Sequence, residues 1–386
     1  MDVHRSFAQV AELENDELRQ RGRVDLARDK VLAFARTLRP DDEVVLEATG
    51  NTMTIVRLLK PHVGRVVIAN PLQVRIIAEA KAKTDRIDAA ALARLHAAEY
   101  LPEVWQPDER TELLRNLVSR RATIVQGMTR TKNRIHAVLH ANLIPPFAGK
   151  LFRAPGRKWL AEQPLAEHER AVVQRWLAAL DAMETELTAA EAAIASACLG
   201  DDRVRRLMTI GGINMVVAAG VLSAIGDVSR FASAEKLVSY LGLDPRVRQS
   251  GDRAAQHGRI SKQGRSHARG MLVETAWAAA VTPVPLRAAR KIAVLAWHLL
   301  TKGEDYAFAR PALVAMKERQ MQLKAGVKSR RGGNTPGKAR DYSIKKLREK
   351  ERAVVEQAEK AYKRFITAWS EKPKPGLART HQAMRR

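Results

Sequence analysis

Three carboxylates in the first quarter of the chain stand where a divalent metal ion could be bound. Glu47 ends a short apolar segment that is typical of a buried strand, and sites in α/β proteins gather at the carboxyl ends of strands. Asp85 and Asp88 lie three residues apart at the start of a helical segment, so their side chains share one face. Because hard divalent cations take oxygen ligands, these carboxylates could hold the Mg²⁺ ions that assist phosphoryl transfer.

Each carboxylate also has an ordinary structural explanation. Asp85 could cap the N-terminus of its helix, and Glu47 could simply be exposed at the end of its strand. Asp2 begins another extended segment and offers a fourth carboxylate. The spacing alone leaves the metal site and the structural explanation both open.

The second reactive candidate is Ser250, which precedes a glycine in a segment predicted to be a long loop between two helices. Basic residues crowd this segment: Arg246, Arg248, Arg253, Arg259, Lys262 and Arg265. Such cations could hold a phosphodiester and stabilise its transition state while an accessible serine attacks it. Most serine-glycine pairs are merely turn residues, and Ser261 and Ser266 are alternative nucleophiles.

Two adjacent glycines, Gly211 and Gly212, interrupt a helical pattern that covers residues 204–210 and 213–225. A helix, a tight turn and a second helix can present backbone N–H groups to a DNA phosphate without reading the base sequence. An ordinary helix–helix turn explains the pattern nearly as well. Three histidines nearby lack a spacing that suggests metal ligation: His257, His267 and His298, the last interpreted as a core or helix-face residue.

The elements that must position these residues change character along the chain. Residues 1–105 alternate between strand-like and helix-like patterns, which predicts an α/β layer structure. The predicted strands cover residues 7–13, 23–26, 43–46 and 66–68, and the predicted helices cover residues 29–38, 52–59 and 87–98. The acidic residues therefore fall at the ends of predicted elements.

The sequence of residues 106–200 predicts long helices. Apolar residues recur every seven positions on both sides of a break that contains proline and glycine. In the second half the repeat consists of Val173, Leu180, Leu187 and Ile194. The pattern predicts an antiparallel helical hairpin or a coiled coil, which could form a core within one chain or pair two subunits.

The remainder divides by composition. Residues 201–310 are predicted to be helical around the glycine turn and the serine loop, and residues 311–386 form a basic extension. Within this extension we expect a linker at residues 329–337, a charged helix at 342–369 and a cationic tail at 371–386.

The charge of the whole chain is strongly positive. Its 386 residues include 67 Lys and Arg against 42 Asp and Glu, a net charge of +25. Such an excess indicates a polyanionic partner, because each neutralised phosphate releases counterions. A surplus that serves solubility is the plainer alternative. The single cysteine, Cys198, excludes a disulfide framework and a cysteine-based zinc site within one chain.

The N-terminal segment is too polar for a signal peptide, and the sequence contains no apolar run long enough to span a bilayer. These features argue against a membrane protein. We therefore expect a cytoplasmic, nucleoid-associated protein.

Three short strings resemble the motifs of the DEDD insertion-sequence transposases of the IS-one-ten type. They are Asp2-Val-His-Arg, Val45-Leu-Glu47-Ala-Thr-Gly50 and Lys83-Thr-Asp85-Arg-Ile-Asp88-Ala-Ala. The resemblance implies an N-terminal domain with a RuvC-like, ribonuclease H-type fold. It also implies that Asp2, Glu47, Asp85 and Asp88 bind two Mg²⁺ ions, for which Mn²⁺ could substitute.

The chain departs from this family at its first motif. Family members carry several apolar residues of the first strand before the first aspartate, whereas here only Met1 precedes Asp2. We therefore expect either a start codon that has been placed late or a truncated strand that holds the first ligand loosely.

Residues 207–280 are similar to the C-terminal transposase domain of the same family, as are two later strings. These are Ala293-Val-Leu-Ala-Trp-His298 and Gly303-Glu-Asp-Tyr306. The resemblance implies that Ser250 attacks a DNA phosphate through a covalent phosphoserine intermediate. It further implies a composite active site across the subunits of a dimer or tetramer, and a structured guide RNA encoded by the element.

The sequence thus predicts a DNA transposase with four segments: a metal-binding domain at 1–105, a helical linker at 106–200, a serine domain at 201–310 and a basic extension at 311–386. One alternative is a metal-only RuvC-like nuclease or Holliday-junction resolvase in which Ser250 is structural. A second alternative is a nucleic-acid-binding protein without catalytic activity.

Overall fold

The computed structural model describes residues 1–77, 84–251, 253–280, 289–328 and 345–370. The described chain is a mixed α/β structure in which helices predominate. It divides into two compact units, Met1–Pro107 and Asp108–Arg386. Three predicted features lie outside the described residues: Lys83, the linker at 329–337 and the tail at 371–386.

Strands and helices alternate along the described part of the first unit, as predicted. In chain order they are β1 (Asp2–Val3), β2 (Phe7–Glu14), β3 (Glu17–Asp25), α1 (Arg28–Ala35), β4 (Glu43–Glu47), α2 (Thr52–Leu59), β5 (Arg65–Ala69), α3 (Pro71–Ile77) and α4 (Asp85–Ala97). β1, β2 and β3 form an antiparallel sheet in that order, and β4 and β5 form a parallel pair. A parallel pair needs a crossover connection, which α2 supplies.

β4 is buried on both faces, which explains why its sequence is a continuous apolar run. Val44 and Leu46 belong to the hydrophobic core that also contains residues of α1 and α2. Val45 faces the opposite side and packs in a second cluster with Leu92 of α4. Glu47 follows directly, so a firmly held strand fixes the backbone position of this carboxylate.

β3 begins at Glu17 and is therefore much longer than the predicted strand at residues 23–26. Asn15 and Asp16 have positive φ angles of 50° and 65° and form the two-residue turn that joins β2 to β3, as in the type I′ turns of hairpins. No residue of β3 is fully buried. The prediction was too short because an exposed strand lacks the apolar alternation by which strands are identified.

Helices and a small β-hairpin make up the described part of the second unit. The first half contains α5 (Glu109–Ala141), α6 (Ala154–Ala161), α7 (Glu167–Cys198), α8 (Asp202–Met208), α9 (Met215–Ile225), a 3₁₀ turn (Val228–Arg230) and α10 (Ala234–Tyr240). The second half contains β6 (Pro245–Arg248), β7 (Gln256–Ile260), α11 (Ser266–Ala280), α12 (Ala289–Lys302), α13 (Pro311–Lys324) and α14 (Lys345–Ser370).

α5 and α7 pack against each other within one chain and form the predicted helical hairpin. Ile135 of α5 and Leu180 of α7 are buried in the same cluster. Arg121, which interrupts the apolar repeat of α5, donates two hydrogen bonds to Glu191 of α7 at 2.7 and 2.9 Å. A charged pair therefore fills the gap in the repeat, and the helices meet along their whole seam.

α9 lies at the centre of the second unit. Ten of its eleven residues are buried, as expected for a helix that is apolar on every side. Its core cluster also contains Val118 of α5, Leu207 of α8 and Leu272 of α11. This arrangement holds the start of α11 and the middle of α5 beside the same central helix. Among the described helices, none is both long and apolar enough to cross a membrane.

The serine segment contains a β-hairpin, and the prediction of a long loop was wrong. β6 and β7 pair antiparallel, with Arg248 opposite Gln256 and Pro245 opposite Ile260. All residues of both strands except Pro245 are exposed. The hairpin was not predicted because its strands are held together by backbone hydrogen bonds. Such pairing leaves no pattern of buried side chains in the sequence.

Candidate functional site

Asp2 is held between two strands of the first unit. It pairs with Gln9 of β2, and the neighbouring Met1 amino group donates a hydrogen bond of 2.6 Å to the Val45 carbonyl oxygen of β4. Only 8% of Asp2 is exposed. The backbone contacts on both sides therefore fix the position of this carboxylate.

His4 brings Asp2 and Asp85 together. Its Nε2 atom lies 3.1 Å from Oδ2 of Asp2 and 3.4 Å from Oδ1 of Asp85, and its ring stacks on Phe7 with a centroid distance of 4.6 Å. One potential ligand atom from each of Asp2, His4 and Asp85 lies within 4.8 Å of the other two. No local sequence pattern predicts this role for His4.

Asp88 and Glu47 lie in the same electrostatic neighbourhood. Burial raises the pKa of Asp2, His4 opposes this effect, and the charges of Asp88 and Asp85 raise the pKa further. Burial lowers the pKa of the Met1 amino group to about 6, while the charges of Asp2 and Glu47 act in the opposite direction. The charges of Asp88 and Glu47 thus act on groups at the start of β1, whereas Asp2 and Asp85 are the two carboxylates in contact with His4.

α4 presents Asp85 and Asp88 from its first turn. The N-cap is Thr84, whose hydroxyl oxygen accepts a hydrogen bond of 3.3 Å from the backbone N–H of Ile87, so the alternative that Asp85 caps the helix is wrong. Arg23 lies 3.6 Å from Asp85 and above the ring of Phe7 at 4.3 Å. Freed from capping, both carboxylates are available to an ion or to cationic side chains.

The donor set fits a divalent cation. Asp2 and Asp85 supply carboxylate oxygens and His4 supplies an imidazole nitrogen at one point. Oxygen ligands suit Mg²⁺, and an added imidazole favours transition metals such as Mn²⁺. Asp2, His4 and Asp85 can therefore hold a divalent metal ion.

Ser250 lies on the exposed connection between β6 and β7, next to Gly251 with a φ angle of +58°. A cavity of about 480 Å³ on the hairpin is lined by Arg246, Arg248, His257, Arg259 and Lys262 among others. Four of the six predicted cations thus share one concave surface. Arg253 is exposed in the connection itself, whereas Arg265 lines a different cavity.

The two alternative serines have other positions. The Ser261 hydroxyl donates a hydrogen bond of 2.7 Å to Asp244, and its backbone N–H donates to the Asp244 carbonyl oxygen. Ser261 therefore closes the base of the hairpin. Ser266 is the first residue of α11. Ser250 is the serine at the exposed end of the hairpin, where a large substrate has access.

The predicted glycine turn joins α8 to α9 and is packed from two sides. A side chain on Gly212, whose φ angle is +86°, would come within 2.8 Å of the Thr275 carbonyl oxygen of α11. The Lys317 ammonium group of α13 donates hydrogen bonds to the carbonyl oxygens of Met208 at 2.7 Å and Ile210 at 3.2 Å. These contacts give the turn a packing role, and its predicted contact with DNA stays a prediction.

Two family models match the sequence. A model described as a DEDD-type transposase covers residues 1–143, and the model of the transposase IS116/IS110/IS902 family covers residues 204–290. The first match contains all four predicted carboxylates, and the second contains the glycine turn and Ser250.

Individual relatives agree with these matches. Protein y4qE of Sinorhizobium fredii, named as a transposase, is 30% identical over 51% of this chain and 48% of its own length. The pilin gene-inverting protein of Moraxella bovis is 29% identical over 59% of this chain and 64% of its own. The transposase for insertion sequence element IS1111A of Coxiella burnetii is 24% identical over 68% and 79%. The chain thus spans about half the length of the first of these relatives and just under two thirds of the second.

Proposed function

We propose, because the chain belongs to the DEDD family of insertion-sequence transposases, that it cuts and rejoins DNA as the transposase of an insertion sequence. The observation that carries this proposal is the meeting of Asp2, His4 and Asp85 at one point, with Glu47 and Asp88 close by. A cluster of carboxylates is the arrangement that metal-assisted phosphoryl transfer requires.

The metal would be bound by Asp2, Glu47, Asp85 and Asp88, with His4 as an additional ligand. Bound Mg²⁺, in two ions, supplies Lewis-acid stabilisation of the charge that develops on phosphate oxygens. The protein's part is to fix the ligands. β1 and β4 hold Asp2 and Glu47, and the Thr84 cap fixes the first turn of α4.

The bond-breaking step is assigned to Ser250. Its Oγ atom attacks a DNA phosphorus and forms a new P–O bond while the bond from that phosphorus to one deoxyribose oxygen breaks. The serine proton leaves to solvent and the departing oxygen takes up a proton, so that the DNA strand is joined to Ser250 as a phosphodiester. A deoxyribose hydroxyl of another strand then displaces Ser250 and rejoins the DNA. Arg246, Arg248 and Arg259 would hold the negative charge of the phosphate.

Three further proposals rest on the resemblance and the charge. A structured RNA encoded by the element would guide the choice of DNA, and the net charge of +25 is compatible with holding two nucleic acids. The active protein would be a dimer or tetramer that works at the nucleoid. The division into segments at 1–105, 106–200, 201–310 and 311–386 belongs to the same proposal.

The test is a cleavage assay on DNA that carries the ends of the element, analysed on a denaturing gel for a covalent protein–DNA adduct. We expect Ser250→Ala to abolish both cleavage and adduct while DNA binding is retained. Ser196→Ala is the matched control, since it removes an exposed serine of α7 in the same unit, and it should retain the adduct. Cleavage by Ser250→Ala would instead support a metal-only nuclease.

Glu47→Gln separates catalysis from binding. It removes a metal ligand with little change in shape, so we expect cleavage to be lost and DNA affinity to change little. Unchanged rearrangement activity in Glu47→Gln would reject a catalytic role for the acidic cluster.

A further inference from the structure

We propose that the pocket between α5 and the start of α11 binds a phosphodiester of a nucleic acid strand through Arg115 and Arg265, with Arg230 as a supporting cation. This inference rests on the proposed function and deepens it, because it assigns a backbone-binding site in the second unit away from the serine hairpin. No local sequence pattern predicts a role for Arg115 or Arg230.

Arg265 and Arg230, from separate elements, meet at Tyr240, and Arg115 lies near both. The Arg265 Nε atom donates a hydrogen bond of 3.0 Å to the Tyr240 hydroxyl. The Arg230 guanidinium lies 4.4 Å from the centroid of the Tyr240 ring and 4.0 Å from that of Phe231. Arg115, on α5, lines the same pocket as Arg265. The fold therefore brings together three positive charges that are far apart in the sequence.

The end of α9 explains why two of these charges are tolerated. Arg115 donates a hydrogen bond of 2.7 Å to the Ser223 carbonyl oxygen, and Arg230 donates one of 2.9 Å to that of Ile225. Both groups thus bind the last carbonyls of a helix, where its dipole is negative. This structural role does not extend to Arg265, which donates to the Tyr240 hydroxyl and not to a helix carbonyl.

The three charges repel one another. Burial, followed by the charge of Arg265, lowers the pKa of Arg115 to about 10. Burial also lowers the pKa of Arg230, with a smaller contribution from Arg265. Tyr240 acts in the opposite direction on both groups, with smaller contributions from Glu112 to Arg115 and from Asp227 to Arg230. An anion placed among the guanidinium groups would relieve this repulsion.

The pocket has the shape and lining that such an anion needs. It has a volume of about 540 Å³ and is lined by Arg115, Ser119, Gln126, Arg265, Ser266 and His267 among others. No carboxylate occurs among the described residues that line it. The first turn of α11, a helix of 15 residues, forms one side, and the N-terminus of a helix favours negative charge.

The side chains of this pocket favour a phosphate of the nucleic acid backbone as the bound anion. Guanidinium groups bind phosphate oxygens in a fork and remain charged at neutral pH. Ser119, Gln126 and Ser266 add neutral hydrogen-bonding groups to the lining. Contacts of this kind position a nucleic acid without reading its sequence, so the site would accept many sequences.

Fluorescence anisotropy of the full chain with labelled duplex DNA, and separately with a labelled RNA hairpin, tests the site across a range of salt concentrations. Gln126→Glu places a negative charge in the pocket without a change of shape. Gln174→Glu makes the same change at an exposed position of α7 and is the control. We expect Gln126→Glu to weaken binding several-fold more than Gln174→Glu, and the probe that is affected identifies the strand that occupies the pocket.

Arg265→Gln is the complementary variant, with Arg120→Gln on the exposed face of α5 as its control. Loss of one phosphate contact should reduce the slope of log affinity against log salt by about 1 for Arg265→Gln. The Arg120→Gln slope should match the unmodified chain. If Arg265→Gln unfolds more easily because the Tyr240 bond is lost, Gln126→Glu still decides, since it leaves that bond in place.

The outcomes separate this inference from the proposed function. Equal affinities and slopes for both variants and their controls would overturn the pocket while leaving the transposase proposal intact. An unmodified chain that binds neither probe would overturn both. A covalent adduct at Ser250 together with unchanged binding by Gln126→Glu would reject the pocket alone.

Discussion

His4 shows how a single residue can change the chemistry expected of an acidic cluster. Four carboxylates alone would form an all-oxygen site suited to Mg²⁺. The imidazole of His4 reaches Asp2 and Asp85 at once and is held in place by stacking on Phe7. A nitrogen ligand shifts the preference of a site toward transition metals.

We therefore expect the chain to bind Mn²⁺ more tightly than Mg²⁺. His4→Ala should reduce the affinity for Mn²⁺ by about tenfold, which is the lower end of the losses seen when groups around a metal are removed. The affinity for Mg²⁺ should change much less, because Mg²⁺ relies on oxygen ligands. Isothermal titration calorimetry with each ion measures both effects. His62→Ala, outside the cluster, is the control, and an equal loss for both ions would show that His4 is not a ligand.

The same residue shows what the sequence could and could not predict about the site. Asp2, Glu47, Asp85 and Asp88 were predicted from motif strings. The fold brings Asp2 and Asp85 together, and the metal-binding role of all four stays a prediction. His4 lies in the first of those strings but could not be assigned, because its contact with Asp85 depends on how α4 packs on the sheet. Arg115 and Arg230 were missed for a similar reason. They meet only through α9, and no local pattern records that contact.

Among the secondary-structure elements, those with buried side chains were predicted well from the sequence, and those with exposed side chains were not. α2 was predicted with its observed bounds, and β4 and β5 to within a residue at each end, because apolar residues mark them clearly. β3 was predicted too short, and the hairpin of β6 and β7 was not predicted at all, because their side chains face solvent. Strands that are stabilised by backbone pairing need their partner to be known before they can be recognised.

α13 stabilises the end of α8 through a partly buried lysine. Lys317 donates to two carbonyl oxygens there, and burial, with a smaller contribution from Arg310, lowers its pKa to about 8. In the unfolded chain the group regains its usual pKa near 10.5. Between pH 8 and 10.5 the unfolded state therefore binds more protons than the folded state, and the free energy of unfolding rises with pH through this window.

We expect this contribution of Lys317 to reach a few kcal/mol at most, since one pKa unit corresponds to about 1.4 kcal/mol. Urea unfolding of the unmodified chain and of Lys317→Met at several pH values measures it. From pH 8 to 10.5, the free energy of unfolding of the unmodified chain should rise relative to that of Lys317→Met. Lys302→Met, at an exposed position of α12, should show no such change, and parallel curves for Lys317→Met would contradict the prediction.

For the whole molecule, DNA binding and phosphoryl transfer depend on different charged groups. The net charge of +25 comes from basic residues along the entire sequence, whereas the acidic cluster occupies one small part of the first unit. Attraction of DNA by many cations requires no metal. Phosphoryl transfer at a cluster of carboxylates does, because the carboxylates by themselves repel a phosphate.

Removal of metal should therefore separate the two properties. With EDTA present, we expect duplex DNA to bind with an affinity within about twofold of that in Mg²⁺ and to show the same steep dependence on salt. Cleavage and the covalent adduct should disappear and should return when Mg²⁺ or Mn²⁺ is added in excess. Anisotropy and a denaturing gel on the same samples measure both properties. A large loss of DNA binding in EDTA would place the metal in the binding interface, and an adduct formed in EDTA would show that Ser250 reacts without help from the acidic cluster.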